Sequence, residues 1–225
     1  MAMVMNNKEG IIYKVQDYTE NSRLLKVLTK DGIITINARG SQKLNSKDRI
    51  LAQYLTLISF NDDKNSDFIY LNNGKLINDF SNIKKDYFIT KKVNVIFEVL
   101  NKVIIEKEHY NKIYQLTLDV LTSTNIIEGI ISFMLKLTYI LGYGMNFKND
   151  GKLIKGFSIN EGSIVYENSL ITPDLSYDET VTLLKLTYGN IKELEPLTLL
   201  EKNIFEKFIY KYYLDKIELK LKSLE

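Results

Sequence analysis

All three arginines of the chain, Arg23, Arg39 and Arg49, fall within its first fifty residues, while the other twenty-seven basic side chains are lysines spread from end to end. Arginine offers a planar fork of donors that fits phosphate or carboxylate, whereas lysine is a compact, strongly hydrated charge. In a chain that otherwise uses lysine, this concentration marks a surface suited to phosphate. Arg39, Lys43, Lys47 and Arg49 lie in and around a connection containing Gly40 and Ser41, whose backbone amides can also donate to phosphate oxygens. Lys14, Arg23 and Lys26 extend the cluster if their strands run beside that connection. The competing reading pairs these cations with Asp17, Glu20 and Asp48, or leaves them as solvated charges.

Aromatic rings beside such a cluster could stack on bases, since every base has a π-face. Tyr13, Tyr18, Tyr54 and Tyr70 are the candidates. Alternation puts Tyr13 on the side of Ile11 and Val15, hence inside, and leaves Tyr18 in its loop as the one to expect at a surface. Other chemistry is thinly represented. His109, the sole histidine, sits in "IEKEHYNK" and reads as a solvated helix residue with no nucleophile or carboxylate motif around it. Asp62 and Asp63 are a minimal carboxylate pair in a Lys/Asn/Ser loop and read as solvated. Gly74-Lys75 and Gly151-Lys152 lack the upstream glycine and following hydroxyl of a phosphate-binding loop. The expectation is a binding protein, not an enzyme, with no cofactor and no metal site.

The elements that must position the basic cluster are short strands. Ile11 to Gln16, Leu24 to Thr29 and Ile33 to Asn37 form a meander, the last two joined at Asp31-Gly32. Leu51 to Phe60 and Phe68 to Leu76 are two further strands, with the loop Asn61 to Ser66 between them. Five short strands in eighty residues suggest a small closed barrel, since closure removes exposed edges. Near Asp79 the period lengthens: Ile83, Tyr87, Phe88, Val93, Ile96, Phe97 and Leu100 recur at three- and four-residue spacing, predicting one long helix capped by Asp79 or Ser81. Helical patterns continue over Tyr110 to Leu121, Ile126 to Leu141 (stopped by Gly142 and Gly144), Asp178 to Tyr188 and Leu197 to Leu221. Between them, Asn146 to Pro173 is glycine-rich, with alternating stretches at Leu153 to Ser158 and Ser163 to Tyr166, and reads as a small irregular or hairpin insertion.

Composition sets the limits. The 225 residues are 45 % hydrophobic and 26 % charged, ordinary for a globular chain. Residues 1 to 60 hold nine basic side chains against five acidic ones, a net +4, so the rest carries −2 of the overall +2. A polyanion would therefore meet the N-terminal part. The apolar stretch Ile126 to Met145 is interrupted by Glu128 and Lys136 and reads as a buried helix, not a membrane span. Met1 to Gly10 lacks the apolar run of a signal peptide. With no cysteine, a disulfide framework and thiolate metal sites are excluded, and cytoplasm is the expected location.

Taken in order, these landmarks resemble the RecO family of bacterial recombination mediators over nearly the whole chain. The run "EGIIYKVQDYTENSRLLKVLTKDGIITINARGSQKLNSKDRILAQYLTLISF" is similar to that family's opening domain: a strand into a Tyr-x-Glu loop, Arg-Leu-Leu, a basic-acidic-Gly turn and a basic Ala-Arg-Gly segment. "LGYGMNF", "FSINEGSIVYENS" and "YLDKIELKLKSLE" are similar to the end of its helical domain. The resemblance implies an α+β protein with a five-stranded OB-fold barrel over 1–80 and an α-helical domain over 81–225. It also implies binding of single- and double-stranded DNA, annealing of complementary strands, partnership with RecR, contact with the acidic C-terminal tail of SSB and help in loading RecA. For that tail, Lys136, Lys202, Lys207 and Lys211 beside Phe205 and Phe208 are the candidate seat. The alternative is a protein-interaction scaffold with little DNA affinity.

One departure stands out. Many members hold zinc with two Cys-x-x-Cys pairs, at positions corresponding roughly to 149–152 and 166–169 here, where this chain has no cysteine. The insertion, about 146–173, is then expected to be held by Phe157, Ile159, Val165 and Tyr166 packing on the helices.

Overall fold

The computed structural model describes residues 7–61 and 69–224. Asp62 and Asp63, the loop they belong to and the start of the strand expected from Phe68 lie outside the described residues. The chain divides into two compact units, one formed by 1–86 with 106–115 and the other by 87–105 with 116–225.

The first unit is built on one six-stranded sheet. Strands β1 (Asn7–Thr19), β2 (Ser22–Thr29) and β3 (Gly32–Ala38) form the expected meander, followed by helix α1 (Asp48–Leu51) and strands β4 (Thr56–Asn61), β5 (Ile69–Tyr70) and β6 (Asn72–Asn78). The order across the sheet is β5-β3-β2-β1-β4-β6, antiparallel except for the parallel pair β3 and β5. The two edge strands are separated in the chain by Leu71 alone, so the sheet has to curl until its edges meet. The strand expected from Phe68 to Leu76 is thus two strands, one on each edge. The expected strand from Leu51 starts only at Thr56, because the preceding turn is helical and Leu55 takes a left-handed conformation (φ +52°) to leave it.

Inside the curl, Ile12, Leu25, Val27, Ile36, Ala38, Ile58, Phe60 and Leu71 form the core, and Leu51 and Ala52 plug it from α1. Gly10 is required where β1 crosses β2, since a Cβ there would lie 2.3 Å from Val27 Cγ1. Strict alternation along β1 fails at Tyr13. Ile12 pairs with Val27 but Lys14 pairs with Lys26, so one extra residue bulges between them and reverses which side the later residues face. Ile12 and Val15, not Ile11 and Val15, therefore share the core. Ile11, Ile12 and Tyr13 are all buried, and burial together with Tyr110 pushes the Tyr13 hydroxyl up to about 12.

The expected long helix from Ile83 is broken. Phe80 adopts a left-handed conformation (φ +46°) while Asn78 and Asp79 accept hydrogen bonds from the Phe80 and Ser81 amides. A single turn, α2 (Ser81–Lys84), results, and α3 (Tyr87–Lys102) starts afresh. Helix α4 (Tyr110–Thr122) follows.

At the centre of the second unit, α5 (Ile126–Ile140) is buried almost all round, as its high apolar content requires, with α3, α6 (Tyr177–Tyr188) and α7 (Leu199–Ile217) packed on it. Capping boxes at Ser176/Glu179 and Thr198/Glu201 open α6 and α7. The insertion is a hairpin of β7 (Ile154–Ser158) and β8 (Ser163–Tyr166), joined by a third, unanticipated strand β9 (Leu175–Ser176). Gly156 makes room for β9, because a Cβ there would lie 2.0 Å from the Leu175 carbonyl oxygen. As expected, Phe157, Ile159 and Val165 are buried, with Phe157 edge-on to Phe208 of α7 at 5.7 Å. Among the described residues no helix is long and apolar enough to cross a membrane.

Candidate nucleic-acid interface

Strand register sorts the basic residues by face. Lys14 stands opposite Lys26, and Lys26 opposite Thr35, in one row across β1, β2 and β3. The neighbouring row runs through Gln16, Leu24, Asn37 and Tyr70. Side chains directly opposite one another share a face, and residues two apart do so as well. This is the outer face, because Val15, Leu25 and Ile36, one residue out of phase, belong to the core side. Arg39, two residues beyond Asn37, stacks its guanidinium on the Tyr70 ring at 3.8 Å from the centroid. The outer face thus brings together Lys14, Lys26 and Arg39 with one aromatic ring.

Arg23 is not part of that group. It lies opposite Asp17 and Ala38, in phase with the core, where Nη1 donates to the Ala52 carbonyl at 3.2 Å and Nε stands 3.5 Å from Asp17. It ties α1 to the sheet, and the idea that it extends the patch is corrected by the phase of β2.

The connection after β3 is a succession of tight turns, not an open loop. Lys43 donates its amide to the Gly40 carbonyl, Ser46 to Lys43 and Arg49 to Ser46. Gln42 pins the segment to the β1–β2 turn, its side-chain amide donating to Thr19 and Ser22 carbonyls at 2.9 and 3.0 Å and its backbone amide to Asn21. Lys43, Lys47 and Arg49 are exposed along this rim. With Lys14 and Arg39 they make no ion pair among the described residues, and burial pushes the Asp48 carboxyl between them upward. Unneutralised cations on an ordered backbone are what a polyanion of fixed spacing needs.

Among the tyrosines, Tyr18 is exposed as expected, but it is Tyr70, half-buried, that carries a cation on its face. Its proximity to Arg39 depends on the parallel pairing of β5 with β3, for which two residues of strand give no local pattern. His109 has closer company than its surroundings suggested, with the Glu106 and Glu108 carboxylates each 3.9 Å from Nε2.

The cations considered for an acidic tail are mostly engaged. Lys136 donates to the Thr187 and Gly189 carbonyls at the end of α6, Lys202 pairs with buried Glu128 at 3.0 Å, and Lys211 with Asp174 at 2.6 Å. Phe205 and Phe208 are core residues. Only Lys207 of that set stays exposed without an ion pair among the described residues.

Residues 1–80 match the family description "Recombination protein O N terminal". DNA repair protein RecO of Listeria monocytogenes serotype 4b (strain CLIP80459) is 29 % identical over 122 residues, 54 % of this chain and 48 % of that protein. DNA repair protein RecO of Bacillus pumilus (strain SAFR-032) is 27 % identical over 172 residues, covering 71 % of this chain and 66 % of the relative. Residues 1–80 are those of a RecO N-terminal domain, and the similarity to RecO proteins continues beyond them. Its curled N-terminal sheet is the OB-fold domain of RecO proteins, and the whole is α+β. The match spans about half the length of the first of these relatives.

The zinc of many RecO proteins does not fit this chain. At 149–152 and 166–169 there is no thiolate. Instead Lys152 pairs with Asp150 and stands 5.3 Å from the Tyr166 ring centroid, and the Tyr166 hydroxyl donates to the Lys148 carbonyl at 3.4 Å. Asn149 accepts from the Gly151 amide and Ser169 from the Ile171 amide. Lys152 and Tyr166 link the two segments, while Asn149 and Ser169 close turns within them, and no tetrahedral thiolate set is present.

Proposed function

We propose that this chain serves DNA repair and recombination as a non-enzymatic mediator. Its OB-fold sheet holds single- or double-stranded DNA by the backbone and anneals complementary strands. With RecR, it helps to load RecA onto single strands covered by SSB, whose acidic C-terminal tail it contacts. The observation that carries this reading is the outer sheet face on which Lys14 and Lys26 stand in one row and Arg39 stacks on Tyr70, continued by the ordered rim of Lys43, Lys47 and Arg49. Phosphate contacts of this kind are indifferent to sequence and leave base edges free.

A filter-binding titration with single-stranded DNA at two salt concentrations tests it. Retention that weakens steeply with salt is the expected result. Absence of retention at low salt would leave the protein as a scaffold for other proteins.

A further inference from the structure

The first turn of α3 turns two large aromatic side chains outward: Tyr87 is 81 % and Phe88 61 % exposed. Farther along, the helix buries Val93, Val95, Ile96, Phe97, Val99 and Leu100, while the two rings at its start stay exposed. Helical spacing sets Lys91 one turn beyond Tyr87 and Lys92 one turn beyond Phe88. Lys92 Nζ stands 5.4 Å from the Phe88 ring centroid and is steadied by Glu206 at 2.6 Å. Lys91 is exposed and makes no ion pair among the described residues. The first turn of the helix holds no acidic residue, and Asp86, just before it, already has a partner of its own.

Protein-docking patches are rich in aromatic side chains but poor in lysine, and here a lysine follows each ring one turn on. Rings and lysines together match an unpaired nucleotide, which offers a flat ring and an anion a few ångströms apart. We propose that Tyr87 and Phe88 stack unpaired bases while Lys91 and Lys92 meet the adjoining phosphates, giving the helical unit its own contact with single-stranded nucleic acid. The proposal rests on the DNA-binding reading above and adds a selectivity which the cationic sheet lacks, because a duplex keeps its base faces hidden.

The chain contains no tryptophan, so Tyr87→Trp supplies a single reporter at this spot. Titration with oligothymidylate should quench its emission, and a duplex of the same length should leave the emission near its starting value. The Tyr87→Ala/Phe88→Ala double variant should bind oligothymidylate about tenfold more weakly, within the range found for loss of base stacking. Lys91→Ala, which keeps both rings, should reduce the salt slope on single strands by about 0.7. All the altered side chains are exposed, and unchanged thermal melting confirms that the variants fold. Filter retention reads total binding and the tryptophan reads α3 alone, so the two proposals fail separately. Retention of oligothymidylate with unquenched emission overturns the α3 contact and leaves the sheet interface standing. Equal quenching by duplex, or wild-type affinity in the double variant, also overturns it. No retention at all removes both.

Discussion

The Arg39 guanidinium lies over the Tyr70 ring at 3.8 Å, joining the residue after β3 to a strand that reaches β3 only by tertiary pairing. A cation held on a ring face is fixed in direction, and at an exposed site the contact contributes about 0.5–1 kcal/mol. Tyr70→Ala should therefore leave the melting temperature little changed but weaken single-strand binding several-fold, since it removes the ring and frees the arginine. Tyr70→Phe should bind as the wild type does. Fluorescence anisotropy with a labelled oligonucleotide separates these outcomes, and equal losses in both variants would refute a role for the ring face.

The cationic face should bind through phosphates and without regard to sequence. If about four phosphates are neutralised, log K on single strands should fall against log salt with a slope near −3, at roughly −0.7 per phosphate. Arg39→Glu/Arg49→Glu should weaken all sequences alike and flatten the slope. Arg23→Ala should act differently: it breaks the bond to the Ala52 carbonyl and lowers stability, because its donor sits on the core side of β2. Unchanged DNA affinity in the Arg39/Arg49 double variant would remove the site assignment.

What sequence patterns revealed of this site was its composition, and what they concealed was its phase. The meander, the basic connection and the later helices follow from alternation, turn residues and helical spacing, all of which are local. The bulge between Ile12 and Lys14 is not local, and it brings Ile12, which alternation from Val15 would turn outward, into the core beside Val15. Phe80's left-handed turn, which ends the strand region and divides the expected helix, is disguised by an apolar residue at a position where glycine or asparagine would have advertised it. For Lys136, Lys202 and Lys211, periodicity shows which side of a helix a lysine is on. It cannot show whether a carbonyl or a buried glutamate is waiting there.

The purified protein should contain no zinc, because 149–152 and 166–169 offer neither thiolate nor imidazole and the Asp150 carboxylate is paired with Lys152. Chelator should leave its helicity and melting temperature unchanged. Tyr166→Ala, in contrast, should loosen the two segments, seen as faster amide exchange over 148–152 with the helices unaffected. Stoichiometric zinc by elemental analysis, lost together with helicity on chelation, would contradict this.

Glu98 supplies a pH dependence. Burial alone would push its carboxyl up, but hydrogen bonds from Lys102, from Ser223 through side chain and backbone, and from the Lys222 amide outweigh it and hold the group at about 2. A carboxyl lowered on folding stabilises the native state above its unfolded pKa, near 4.5, and that contribution disappears as pH falls toward 2. Urea midpoints should thus drop over this window in the wild type, and by less in Glu98→Gln. The variant should be less stable at neutral pH by about 1.5–3 kcal/mol, the range for hydrogen bonds to a charged group. Parallel pH profiles for the two proteins would argue against Glu98 as the anchor of the C-terminal segment.

Annealing should need no nucleotide hydrolysis. Two complementary strands repel each other as polyanions, and a surface that holds one backbone while attracting the second raises their encounter rate and lowers the repulsion together. Lys14, Arg39, Lys43, Lys47 and Arg49 can do this because none is neutralised by an ion pair among the described residues. The bases must stay exposed to pair, which sequence-indifferent phosphate contacts permit. Pairing of two labelled oligonucleotides, followed by fluorescence quenching, should be fastest at low salt, unchanged by omission of ATP, and abolished when Arg39, Lys43, Lys47 and Arg49 are neutralised together. If the wild-type chain binds each strand tightly yet leaves pairing at its spontaneous rate, the cationic face holds DNA for another purpose, and the annealing role is lost.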